Sequence, residues 1–208
     1  MQDGQPKITL GAVLFDGFEL LDLYGPLELL GLLEGRMDVV TIGERAGAIR
    51  SSQAPSGVAD FSLFEDRAFD VLLVPGGAGT RRLVTDDRFL EAITRHARAA
   101  KYVASVCTGS AVLAKAGLLD GRRATSNKRA FAWVKSQGPK VDWVPQARWV
   151  EDGPFFSSSG VSAGMDMTLG LIQRLFDRDT SVRIAQRAEY EWHEDAGWDP
   201  FAKIHGLA

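Results

Sequence analysis

The 208-residue chain is 45% hydrophobic and 25% charged, the composition of one ordinary globular domain spanning residues 1–208, with no linker, repeat or low-complexity block to divide it. Its formal charge of -3 and pI of about 5.7, with basic residues scattered, argue against a nucleic-acid or anionic-membrane surface. A single cysteine excludes an internal disulfide, the N-terminal MQDGQPK lacks the apolar core of a signal peptide, and no apolar run nears the roughly 18 residues of a membrane helix, so a cytoplasmic setting is expected.

Ile8 to Phe15 is an unbroken apolar run closed by Asp16-Gly17, the pattern of a strand buried on both faces. Pro26 suits the first position of a helix capped by Gly25 and stopped by Gly35, which leaves Asp22 in the loop before it. Met37 to Ile42 is a second strand, so the three elements predict a right-handed βαβ unit. Residues 44–68 carry only turn-punctuated hints of edge strands, and nothing functional is placed there. Asp70 to Val74 is another buried strand, running into the glycine loop PGGAGT, and Phe89 to Ala99 has helical spacing before the strand Val103 to Val106. Ser110 to Ala116 follows as a helix, then a short extended piece at Arg122 to Ser126 and a helix near Arg129 to Ser136 capped by Ser126 or Asn127. Val141 to Val144 and Ala147 to Val150 read as short strands, the latter returning through a hairpin at Phe155 to Ser158. Two helices are expected after that, one through Met165 and Phe176 capped by Ser162 and one over Thr180 to Trp192, before an irregular aromatic end. This alternation predicts an α/β domain with a mostly parallel central sheet, helices on both faces and its site at the carboxyl ends of the strands.

That expectation gathers Gly76, Gly77 and Cys107 into one place. An unpaired cysteine is most often a buried small hydrophobe. Cys107, however, falls where a strand gives way to a helix, and the unpartnered amides of a helix start draw a thiol toward thiolate. The amides of Thr108 and Gly109 are placed to hold developing negative charge. None of the three histidines is well placed to move a proton for sulfur: His96 lies on an amphipathic helix, and His193 and His205 lie near the C-terminus. Asp22, set among leucines, is the carboxylate whose apolar surroundings would raise its pKa and suit it to a proton shuttle; the alternative is a residue that satisfies local loop amides. PGGAGT lacks a phosphate-loop ending, and Glu189 to Asp195 lack metal-ligand spacing, so no metal is expected and the acidic run reads as a solvated face.

FDGFELLDLYGP, VPGGAGT, SVCTGSAVLAKAGLLDGRRAT and SGVSAGMDMTLGLI, in that order, resemble the DJ-1/PfpI superfamily over nearly the whole length of the chain. The resemblance implies a flavodoxin-like fold, and LDLYGP together with CTGS is most similar to its isonitrile hydratases, which add water to an isonitrile to give an N-substituted formamide. It implies Cys107 as nucleophile, Asp22 as catalytic carboxylate and Thr108 as a further catalytic residue, with Gly76 and Gly77 binding substrate or oxyanion. It also implies a small-molecule substrate, a homodimer and no metal or organic cofactor. Asn127 stands where many relatives with this elbow have histidine, and Thr108 where peptidase and glyoxalase relatives have one. Two further expectations come with the family. A DJ-1-like redox sensor would act through oxidation of Cys107. AraC-type regulators carry the same elbow in a sensor domain, but no DNA-binding helix pair is expected to accompany it here.

Overall fold

The computed structural model describes residues 7–208; the MQDGQPK terminus, apart from Lys7, lies outside the described residues. The first half runs β1 (Ile8–Leu14), α1 (Leu20–Gly31), β2 (Met37–Gly43), β3 (Gly47–Arg50), β4 (Ser56–Ala59), β5 (Phe61–Ser62), β6 (Val71–Val74), α2 (Thr80–Leu83) and α3 (Asp87–Ala99). The second half runs β7 (Tyr102–Val106), α4 (Gly109–Lys115), β8 (Arg123–Ala124), α5 (Phe131–Gln137), β9 (Asp142–Trp143), β10 (Trp149–Asp152), β11 (Phe155–Ser158), α6 (Ala163–Leu175), α7 (Arg178–Arg187) and α8 (Pro200–Ile204). Among the described residues no helix is long and apolar enough to cross a membrane.

Seven strands form one sheet in the order β10-β11-β7-β6-β1-β2-β5, parallel except where β10 meets β11. From β1 the chain crosses to β2 in one direction along the sheet, and from β6 to β7 in the other. Right-handed crossovers in opposite directions put α1 and α3 on opposite faces. Accordingly α1 packs on α6 and α6 on α7, while α4 packs on α2, α3 and α5. With both faces covered, β6 is wholly buried and β1 is buried from Leu10 onward, which is why both read as unbroken apolar runs. The strand order reverses between β1 and β6, and a crevice opens there at the carboxyl ends of β1, β6 and β7.

The expected α/β architecture is therefore present, with local departures. Helix α1 begins at Leu20, six residues before Pro26, so Asp22 lies in its first turn and not in a loop. Proline at a helix start is a local preference; here burial of Leu23, Leu29 and Leu30 on one helix outweighs it, and the Asp22 carbonyl goes without the amide that Pro26 lacks. Residues 44–68 form the β3–β4 hairpin and the edge strand β5. Ser162 sits at the start of α6 without a side-chain cap bond. Helix α7 begins earlier than expected, capped by Asp177, and stops at Arg187. It stops because the chain turns at Glu189 (φ 50°) to reach Asp166. Buried Asp166 accepts from Arg148 Nε (2.7 Å) and Nη2 (2.6 Å), Tyr190 Oη (3.0 Å) and the His193 amide (2.9 Å), clamping the C-terminal stretch to the body. The irregular end then contains α8, whose start the Asp199-Pro200 pair encodes: Asp199 Oδ1 accepts from the Phe201 amide at 3.0 Å.

Candidate active site

Cys107 follows β7 directly and adopts φ 57°, the left-handed region, which costs an L-residue roughly 1–2 kcal/mol. Its surroundings hold it there. The Cys107 amide is shared by the carbonyls of Ser158 and Ser159 at 3.2 Å, and its carbonyl accepts from Ser126 Oγ (2.8 Å) and Ser110 Oγ (3.0 Å). The corner closes on β6 so tightly that a Cβ on Gly109 would lie 2.2 Å from the Val74 carbonyl oxygen.

Asp22 arrives from α1 with no exposure at all. Its Oδ2 accepts from the Gly76 amide at 2.9 Å and its Oδ1 from the Val161 amide at 3.1 Å. Val161 has φ 54°, a second left-handed residue and an outlier for a β-branched side chain, so strained backbone flanks the site on two sides. The structure thus brings Cys107, Asp22, Thr108, Gly76 and Gly77 together. The two glycine amides are already engaged, Gly76 by Asp22 and Gly77 by Thr108 Oγ1 at 3.0 Å. Gly76 has no room for a side chain: a Cβ there would sit 2.6 Å from the Thr108 amide nitrogen and 2.7 Å from Asp22 Oδ2. Gly77 takes φ 134°, and its amide orients the Thr108 hydroxyl, which also meets Thr80 Oγ1 at 3.1 Å.

The electrostatics match one sequence expectation and reverse another. Burial pushes the Asp22 carboxyl up to about 7, against the opposing pull of the Gly76 amide and with help from the charge of Glu19. The Cys107 thiol is not drawn toward thiolate: burial, then the neighbouring Asp22 charge, push it well above the ordinary thiol value. The amide and hydroxyl of Thr108 pull the other way, each favouring negative charge on sulfur. Thiol and carboxyl each shift the other's protonation, the carboxyl raising the thiol and the thiol lowering the carboxyl, so they titrate as a pair.

The thiol opens onto a cleft of about 600 Å³ that Thr108 and Gly77 also line. Its other walls come from positions that sequence inspection did not select for chemistry, namely Glu19, Ser52, Arg81, Arg129 and Val161, together with Asn127. Ser52 belongs to the stretch in which nothing functional was placed. His96 is a packing residue, its ring nitrogens 3.0 and 2.8 Å from the carbonyls of Arg67 and Leu63. Asn127 caps the turn into α5, while Ser126 instead holds the Cys107 carbonyl.

A sharp strand-to-helix corner at Cys107, set at the switch point of a mostly parallel sheet, gives the elbow architecture of doubly wound α/β proteins. The chain belongs to the DJ-1/PfpI family, whose sequence model matches residues 9–174. It is 37% identical over 185 residues to the isonitrile hydratase of Pseudomonas putida, covering 88% of this chain and 78% of that one. It is 33% identical over 197 residues to the HTH-type transcriptional regulator GbdR of Pseudomonas aeruginosa, covering 91% of this chain but about half, 52%, of the regulator. A crystal structure of a ThiJ/PfpI family protein from Pseudomonas syringae superposes with a TM-score of 0.83 at 26% identity, covering 98% of this chain and 86% of the other.

Proposed function

We propose that the chain hydrates isonitriles to N-substituted formamides through a thioimidate on Cys107. The observation that carries this reading is the buried Cys107–Asp22 pair, in which a carboxyl raised to about 7 lies beside a thiol that loses its proton reluctantly. An isonitrile carbon accepts both a nucleophile and a proton, and such a pair supplies both. Ionised Asp22 takes the thiol proton and passes it to the terminal carbon as the sulfur–carbon bond forms, giving R–N=CH–S–Cys107. Water then adds to that carbon, one of its protons going to nitrogen and the other to the Asp22–Cys107 pair as the sulfur–carbon bond breaks. The products are R–NH–CHO and the starting enzyme.

Thr108 steadies the developing thiolate through its amide and hydroxyl. Gly76 and Gly77 act by placing Asp22 and Thr108, their amides being engaged by those side chains. The P. putida relative supports the same reading, and the raised thiol pKa counts against a sensor that depends on ready oxidation of Cys107. The active assembly is a homodimer, a reading that the exposed Leu21 and Tyr24 on α1 support. The test is turnover of aryl and alkyl isonitriles followed by formamide release. Wild type should convert members of such a panel and Cys107→Ala should not; absence of conversion across the panel would refute the proposal.

A further inference from the structure

The cleft wall carries charge that the cysteine chemistry leaves unused. Arg81 on α2 and Arg129 just ahead of α5 both line it, and neither side chain has an ion pair or hydrogen bond among the described residues. Arg82, the next residue, is by contrast neutralised by Glu44 and Asp86. The Arg81 guanidinium carbon lies 4.3 Å from the centroid of the Trp133 ring, which holds the group in place without cancelling its charge. Asn127 adds a donor. Its Oδ1 accepts from the Ala130 amide at 2.9 Å, which fixes the orientation of the side-chain amide and leaves Nδ2 beside Gly160. Glu19, the acidic residue on this wall, is engaged by Gln53 Nε2. Two arginines without an ion pair, one charged Glu19 and an amide donor therefore line the cavity, a net positive wall that complements an anion.

We infer that the substrate is an isonitrile whose substituent carries a carboxylate, bound by Arg81, Arg129 and Asn127 Nδ2 while the isocyano carbon reaches Cys107. This rests on the hydratase reading of the site and specifies its substrate class. A side lobe of about 200 Å³, which shares Asn127, Arg129 and Val161 with the cleft and is also lined by Phe201 of α8, leaves room for the group joining carboxylate to nitrogen.

Isocyanoacetate and its methyl ester share one reactive carbon and differ in charge, so they test the inference directly. Wild type should favour the carboxylate by about tenfold or more in kcat/KM, mainly through KM. The double variant Arg81→Gln/Arg129→Gln should lose that preference, whereas Arg98→Gln, which removes an exposed charge on α3, should keep it. Equal or reversed preference in wild type, or a preference surviving in the double variant, would overturn the inference while ester hydration upheld the hydratase reading. If neither compound is hydrated, calorimetric titration of the wild-type protein with N-formylglycine and its methyl ester decides. Tighter binding of the carboxylate, lost in the double variant, supports the anion site even as the hydratase reading fails; no discrimination, or no binding of either, overturns it.

Discussion

Placing a carboxylate and a thiol together out of water makes their titration one coupled process, and it sets activity and stability on opposite pH slopes. Below about 7 both groups hold protons and the thiol has no base; above it Asp22 is ionised, so hydration of an isonitrile should rise in kcat/KM as pH rises through about 7. Stability runs the other way. The folded pKa is raised above the ordinary carboxyl value of 3.8, so the folded state keeps a proton that the unfolded chain has released, and the resulting advantage, complete below 3.8, is lost as pH climbs to about 7. Asp22→Asn removes that slope. Urea unfolding at about pH 5 and about pH 8 should show wild type losing ground to the variant at the higher pH, and parallel behaviour would contradict the assignment. Gly76→Ala would press a methyl group between Asp22 Oδ2 and the Thr108 amide; its kcat should fall by about 100-fold, with circular dichroism unchanged. Cys107 and Asp22 were legible in the chain because a strand ending in Cys-Thr-Gly and an aspartate among leucines are local signals. Val161, Ser52, Arg81 and Arg129 were not, because what makes them part of the site is the meeting of segments distant in sequence.

Helix α1 shows how a misplaced boundary changes the chemistry assigned to a residue. With Asp22 in the first helical turn, its direction is set by the helix and by the packing of Leu23, Leu29 and Leu30, not by a loop able to rearrange. The sheet strands were easier to read, since burial on both faces erases the polar alternation and leaves apolar runs that only a central strand explains. The end of α7 was harder, since the cause of termination is Asp166 on another helix. Helix α1 also turns Leu21 (38% exposed) and Tyr24 (43%) outward while it carries the Asp22 carboxylate inward. If the homodimer forms through this face, Tyr24→Arg should yield a monomer by light scattering and reduced hydration activity through disturbance of α1. A Tyr24→Arg protein that stays dimeric would place the interface elsewhere.

At the scale of the whole molecule, the ion pair between Arg148, just ahead of β10, and Asp166 of α6 holds the returning C-terminal stretch to the body. Asp166→Ala would leave Arg148 buried without its partner, with a loss of roughly 3–5 kcal/mol in denaturant unfolding and new protease cleavage within residues 189–200. Unchanged stability would mean that Arg148 finds another acceptor. Asp22 ties the molecule together in a different way, binding the amides of Gly76 and Val161, which lie 54 and 139 residues further along the chain. In nuclear magnetic resonance those two amides become a built-in pH indicator. Their proton resonances should shift along one common titration curve with its midpoint near 7, reporting the protonation of a carboxyl that no solvent probe can touch.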